Sequence, residues 1–163
     1  MKNLATTLSL TLVLLLGSIG TSSGNDFLKG LNAYHSGDFT RALSEWMPLA
    51  EKRHSPSQYN LGFVYYRGEG VPQDYETAVK WYTLAAEQGD SNAQNNLGVM
   101  FSNGQGVPED FIYAHMWFSI SALNRNANGR KSREIIEKRM IAAQIGIAEE
   151  LAQKCAWNHI KIC

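Results

Sequence analysis

Cysteine is scarce: the chain has only Cys155 and Cys163, both at its C-terminal end. A framework of disulfides along the chain is thereby excluded. Charge of one sign is lacking as well. Fifteen Lys and Arg balance fifteen Asp and Glu, and no basic run exceeds two residues. Nucleic-acid binding rests on a concentrated positive patch, so that class of partner is excluded from the reading. No apolar run reaches the roughly 20 residues that a membrane-spanning helix needs, which argues against a permanent anchor. Catalytic signatures are missing too. There is no HExxH and no isolated reactive cysteine, and the one GxSxG match, Gly20–Gly24, falls in the small-residue stretch after the N-terminal apolar run. None of the four histidines, His35, His54, His115 and His159, sits in a motif with a nucleophile. The expectation is a protein that is not an enzyme and carries no cofactor and no metal.

What is present begins with the N-terminus. Lys2 precedes a short apolar run, Leu8 to Leu16, and then the small residues GSIGTSSG. That order is the order of a secretory signal peptide. Residues 1–24 are read as the leader, with cleavage after Gly20 or Gly24, where Ser18 or Ser22 supplies the small residue at minus three. No Cys follows the apolar run, so no lipid anchor is written there. The expected location is periplasmic or secreted, and residues 25–163 form one domain.

Self-comparison dominates the rest. Residues 61–90 and 97–126 align at a spacing of 36 with ten of thirty positions identical. The matches are Leu61/Leu97, Gly62/Gly98, Gly68/Gly104, Gly70/Gly106, Val71/Val107, Pro72/Pro108, Asp74/Asp110, Ala78/Ala114, Trp81/Trp117 and Ala86/Ala122. Tyr65, Tyr75 and Tyr82 become Phe101, Phe111 and Phe118. Small and aromatic residues keep their places while polar ones drift, as packing constraints require. A degenerate copy precedes them. Asp38, Phe39 and Ala42 lie 36 residues before Asp74, Tyr75 and Ala78, but Tyr34 and Gly37 lie 31 before Tyr65 and Gly68. The first copy therefore lacks the GEGVPQ-type insertion, turns at Gly37-Asp38, and aligns Trp46 with Tyr82. The divisions are 26–56, 57–92 and 93–128, followed by 129–163 as a capping helix and tail.

Each copy reads as helix, turn and helix. Leu61, Gly62 and Tyr65 form one helical stripe, and Ala78, Trp81, Ala85 and Ala86 another. Trp81 and Trp117 read as core. The intervening glycines end the first helix, Pro72 prevents its continuation, and Asp74 caps the second. Gly62 and Gly98 lie inside helices, where glycine costs about 1 kcal/mol relative to Ala. Their recurrence implies that the facing helix passes too close for a β-carbon. GEG and GQG are turn chemistry and not a phosphate loop, since no Lys-Ser/Thr follows. Beyond NRNANGR (124–130), the run Arg130 to Lys154 reads as one long amphipathic helix with Ile136, Met140, Ala143, Ile147 and Leu151 on its apolar face.

The pattern A/S-Q-x-x-L-G-x-x-Y/F-x-x-G-x-G-V-P-x-D-Y/F-x-x-A-x-x-W-Y/F-x-x-A/S-A resembles the Sel-1-like repeat, a relative of the tetratricopeptide repeat. Residues 57–126 carry it twice and 26–56 carry it weakly. The resemblance implies an all-α fold, a short right-handed α-solenoid closed by a long C-terminal helix, whose first helices line a concave face. It also implies an adaptor that binds a partner protein or peptide. Transferred tetratricopeptide geometry places Asn32 and His35, then Tyr59, Phe63, Tyr66 and Arg67, then Asn95, Val99, Ser102 and Asn103 on that face. Carboxamides suit a peptide backbone and Arg suits a carboxylate. The alternative is a cell-wall enzyme or β-lactam-binding protein of the cysteine-rich type, whose repeats each carry a Cys pair that this chain lacks. Weak self-association through the incomplete first repeat is a third reading.

Cys155, His159 and Cys163 stand at i, i+4 and i+8. An unbroken helix would put them on one face, open to zinc, with the cysteines about 12 Å apart. A disulfide between Cys155 and Cys163 instead needs the helix to stop near Trp157-Asn158. An oxidising compartment favours the bridge, with zinc and free thiols the alternatives. His115 reads as a structural or surface residue.

Overall fold

The structure, a computed structural model, describes residues 19–157. These form eight helices and no strand: α1 (Ile19–His35), α2 (Phe39–Glu51), α3 (Ser55–Arg67), α4 (Tyr75–Ala86), α5 (Ser91–Asn103), α6 (Phe111–Leu123), α7 (Ala127–Glu137) and α8 (Ala142–Trp157). Helices pair within each repeat, α1 with α2, α3 with α4 and α5 with α6, and each pair stacks on the next through α2–α3 and α4–α5. This is the solenoid the period implied. The apolar run of the leader lies outside the described residues, and α1 begins at Ile19, within the stretch read as leader.

Local chemistry explains the boundaries. Asp74 accepts from the Thr77 amide at 3.0 Å and the Thr77 hydroxyl at 2.6 Å, starting α4. These bonds to Thr77 hold the Asp74 carboxyl below the usual carboxylate range. Asp110 does the same for α6 through the amides of Ile112 and Tyr113. Gly68 and Gly104 close α3 and α5 in the left-handed conformation, at φ 72° and 65°, where a β-carbon is penalised. His54 starts α3 in an unusual way: its Nδ1 accepts from the Ser57 amide at 3.3 Å.

The packing glycines behave as the period implied. A β-carbon on Gly62 would stand 2.6 Å from the Tyr82 ring, and one on Gly98 2.5 Å from the Phe118 ring. Gly30 plays this part against Trp46 in the first repeat, which the sequence comparison did not pick out. Each second helix thus sends one ring, Trp46, Tyr82 or Phe118, into a notch on its partner, and all three rings are buried. Trp117 is buried, whereas Trp81 is only partly so and leans back on the cluster of the first repeat. Buried glutamines tie one repeat to the next. Gln58 Nε2 donates to the Ala50 carbonyl at 2.9 Å and Gln94 Nε2 to the Ala86 carbonyl at 3.1 Å.

The C-terminal helix expected over Arg130–Lys154 is two helices. α7 starts earlier, at Ala127, where the Asn126 side chain accepts from the Gly129 amide. The chain then breaks across 138–141. Gln144 Oε1 accepts from the Ile141 amide at 3.1 Å, the backward half of a capping box. No glycine or proline marks this break, so composition could not show it. Its cause is tertiary: α7 packs on both α5 and α6, whereas α8 turns to lie along α6. The buried face of α8 also differs by one residue from the expected one. Ala148, Ala152 and Cys155 are buried, whereas Ala143 is exposed and Ile147 is 50% exposed. Small side chains let α8 approach α6 closely, and Cys155 Sγ lies 3.7 Å from Met116 Sδ. Covered by α5, α7 and α8, α6 is buried at every position from Ala114 to Ser121. His115 is among these. It is fully buried, with Nε2 3.0 Å from Glu137 Oε1 and Nδ1 3.4 Å from Ser119 Oγ. His159 and Cys163, and with them the expected pairing of Cys155, lie outside the described residues.

Candidate partner-binding groove

The first helices α1, α3 and α5 set their exposed sides next to one another, and two cavities open between them. One, of about 210 Å3, is walled by Leu31, Tyr34 and His35 of α1, Trp46 of α2, and Tyr59, Asn60 and Phe63 of α3. The other, of about 100 Å3, is walled by Phe63 and Tyr66 of α3, Tyr82 of α4, and Asn96 and Val99 of α5. Phe63 belongs to both, so its ring is the ridge between them.

Aromatic contacts hold these walls. Tyr59 lies 5.8 Å from Tyr82, Tyr66 5.4 Å from Tyr75, and Tyr34 6.4 Å from Phe63, measured between ring centroids. The Asn96 carboxamide hydrogen-bonds the hydroxyls of Tyr59 and Tyr82. Burial raises both phenols above their ordinary pKa. Tyr34 is pushed up to about 12, first by burial and then by donating to Glu69 Oε2 at 2.6 Å. All three phenols are neutral at physiological pH. Glu69 also takes Arg67 Nε at 3.2 Å, and the Arg67 guanidinium lies 5.2 Å from the Phe63 ring centroid. A chain of contacts therefore runs Tyr34–Glu69–Arg67–Phe63 and braces the ridge from outside.

The residues that sequence reasoning put on this face separate into two groups. His35, Tyr59, Phe63, Tyr66 and Val99 line the cavities, and Arg67 stands at the rim. Asn32 does not join them; it lines a separate depression with Lys29, Ser36 and Arg41. The reason is register. Gly30 stands seven residues before Gly37, whereas Gly62 stands six before Gly68. Aligning on the turn glycine put Asn32 at the place of Phe63, but the packing glycine puts Leu31 there. Asn95, Ser102 and Asn103 line neither cavity. Asn95 Oδ1 is enclosed without a hydrogen-bond partner, and Asn103 donates to Gln105 at 3.4 Å. Sequence reasoning missed Leu31, Tyr34, Asn60, Asn96 and Glu69. Asn60 and Asn96 were detectable, being identical at the 36-residue spacing one place before the compared window opens.

Among the described residues there is no group of three His, Cys, Asp or Glu side chains placed to hold a metal ion. No described helix is long and apolar enough to cross a membrane.

Comparison with known proteins agrees with this architecture. The Sel1 repeat family matches residues 55–90 and 91–126. No curated protein matches the chain. Among solved structures, c5321, a protective antigen present in uropathogenic Escherichia coli strains and displaying an SLR fold, is similar at 30% identity over 85% of this chain with a TM-score of 0.79. A Sel1 repeat protein from Oxalobacter formigenes is similar at 25% identity over 82% of the chain with a TM-score of 0.67. The chain spans 31% and 59% of the lengths of those two proteins. With two matched Sel1 repeats and a further helix pair stacked ahead of them in the same way, the chain is a Sel1-like repeat protein.

Proposed function

We propose that this chain is an exported binding protein that holds a segment of a partner protein in the groove formed by α1, α3 and α5. The observation that carries this reading is the pair of apolar cavities sharing the Phe63 wall. Sel1 repeats are typically protein-interaction scaffolds, and the leader-like N-terminus supports export. The groove's polar groups are protonated phenols, carboxamides and an arginine already paired with Glu69. Such a set orients a ligand and makes no bond. Stacked repeats hold these side chains in fixed register, which lowers the ordering cost of binding.

Crosslinking in living cells from a photoreactive residue at position 66, followed by mass spectrometry, tests the reading. One dominant partner is expected, lost in a Phe63→Val background and not captured from position 131 on the exposed surface of α7. Equal capture from both positions, or capture insensitive to Phe63→Val, refutes it. Export is checked by the mature N-terminus in the periplasmic or secreted fraction, expected at Thr21 or Asn25.

A further inference from the structure

Independently of the groove, we infer that residues 158–163 of this chain dock into the depression where the ends of α4, α6 and α8 meet. This depression, of about 260 Å3, is walled by Glu87 and Gln88 after α4, by Ile120, Leu123 and Asn124 of α6 and its end, and by Ala156 of α8. Its volume far exceeds the roughly 30 Å3 that one ordered water takes, so it has room for side chains. The starting point of the segment favours this occupant. Ala156 is one residue short of Trp157, where the described residues end, so residues 158–163 set out from the wall of the depression itself. Six residues reach about 20 Å when extended, which spans a space of this size without moving α8.

Charge selects the same segment. Glu87 is the C-cap of α4 and Asn124 the C-cap of α6. Two helix C-termini, each equivalent to about half a negative charge, therefore end at the wall beside the Glu87 carboxylate. Lys and Arg are absent from the described lining. The segment supplies the missing cation, Lys161. Apolar matching agrees. Leu123 is 65% exposed and, with Ile120, gives the depression an apolar side. Ile160 and Ile162 flank Lys161, so an extended chain sets both isoleucines on one face and the lysine on the other. One face covers Leu123 while the other meets Glu87. The bridge expected between Cys163 and Cys155 would tether the segment to α6 as well, since Cys155 packs on Met116. Docked there, the segment ties the capping helix α8 to two repeats at once.

Methyl NOE spectra of the purified chain, 13C-labelled at Ile and Leu methyls, test this without any substitution. Cross-peaks are expected from the δ1 methyls of Ile160 and Ile162 to the methyls of Leu123 and Ile120. In Glu87→Gln, the amides of residues 160–162 should shift at least twice as far as in Glu76→Gln, an exposed change at the other end of α4. Absence of cross-peaks from both isoleucines to α6 overturns the inference, and so do equal amide shifts in the two variants. Cross-peaks that arise only between differently labelled copies in a mixed sample give the depression to a second copy and overturn it too. If the Leu123 methyls meet no residue of 158–163 and shift only when the crosslinked partner is added, the depression belongs to that partner and the inference has failed.

Discussion

Glycine to alanine changes at Gly62 and Gly146 should move stability in opposite directions. Both residues sit inside helices, and either substitution gains about 1 kcal/mol of helix propensity. At Gly146 nothing lies within 4 Å of the added methyl, so the gain stands alone. At Gly62 the new carbon would lie 2.6, 2.8 and 2.9 Å from three atoms of the Tyr82 ring. Ordinary contact needs about 1 Å more. Tyr82 is 1% exposed, with the tilted Tyr59 ring 5.8 Å away and Asn96 on its hydroxyl, so the ring has little room to retreat. Overpacking of this kind costs about 1–3 kcal/mol. The upper end applies, which leaves Gly62→Ala destabilised by about 2 kcal/mol and Gly146→Ala stabilised by about 1 kcal/mol. Urea unfolding followed at 222 nm measures both. Tyr82→Leu removes the obstructing ring edge, so Gly62→Ala should cost less in that background. A Gly62→Ala variant as stable as the parent would refute the notch-and-ring account of the repeat.

Three further outcomes follow from single contacts. Burial lowers the pKa of His54 from 6.5, so the folded state resists the proton that the unfolded chain accepts. Its contribution is complete above about pH 6.5 and is lost as pH falls below that value. In thermal melts His54→Asn, which keeps a cap acceptor, should show a smaller loss on acidification; an identical pH profile contradicts the assignment. Gln94→Leu strands the Ala86 carbonyl and the Asn124 amide, and should cost about 1–3 kcal/mol in urea. The exposed Gln73→Leu should cost under about 0.5 kcal/mol, and equal costs would remove the structural role of Gln94. The proposed Cys155–Cys163 bridge predicts an intact mass lower by two hydrogens before reduction. Reduction should then cost about 2.5 kcal/mol, and a mass unchanged by reductant excludes the bridge.

How far the fold was legible depended on whether the signal was written into local residue type. The period, the Asp74 and Asp110 caps and the packing glycines Gly62 and Gly98 all constrain residue identity directly, and they recur, so comparison of the chain with itself exposed them. The break at 138–141 has no such mark. It arises because α7 and α8 find different neighbours, a tertiary effect that leaves ordinary residues at the joint. The face of α8 misled for a related reason. Hydrophobicity pointed to Ile147 and Leu151; Leu151 does pack on the core, but Ile147 is half exposed and the small Ala148 and Ala152 hold the contact with α6. In the groove the same contrast holds. Tyr59, Phe63 and Val99 followed from repeat register, while Leu31 required knowing that α1 runs one residue longer between its two key glycines. Glu69 could not have been read as part of the site, because its partner Tyr34 belongs to another repeat.

Repeat positions that pack are alike, whereas those that face the groove, the Asn60/Asn96 pair apart, are not. Gly62 and Gly98 are identical, but Leu31, Phe63 and Val99 take successive places along the cavities. Tyr66 in one repeat is Ser102 in the next, and Arg67 is Asn103. A groove built from equal units would let a ligand slide by one repeat; unequal units give it one register and one direction. Exchanging Phe63 and Val99 tests this. The double variant Phe63→Val with Val99→Phe keeps the summed side-chain volume, and both residues are only half-buried, so helical content and the urea midpoint should change little. The ridge, however, moves one repeat toward the C-terminus: the larger cavity loses the Phe63 ring from its wall, while the smaller trades one wall ring for another. Affinity for the crosslinked partner should fall at least tenfold, about 1.4 kcal/mol, with the fold intact. If affinity is unchanged in a folded exchange variant, register is set elsewhere and the ridge has no part in recognition.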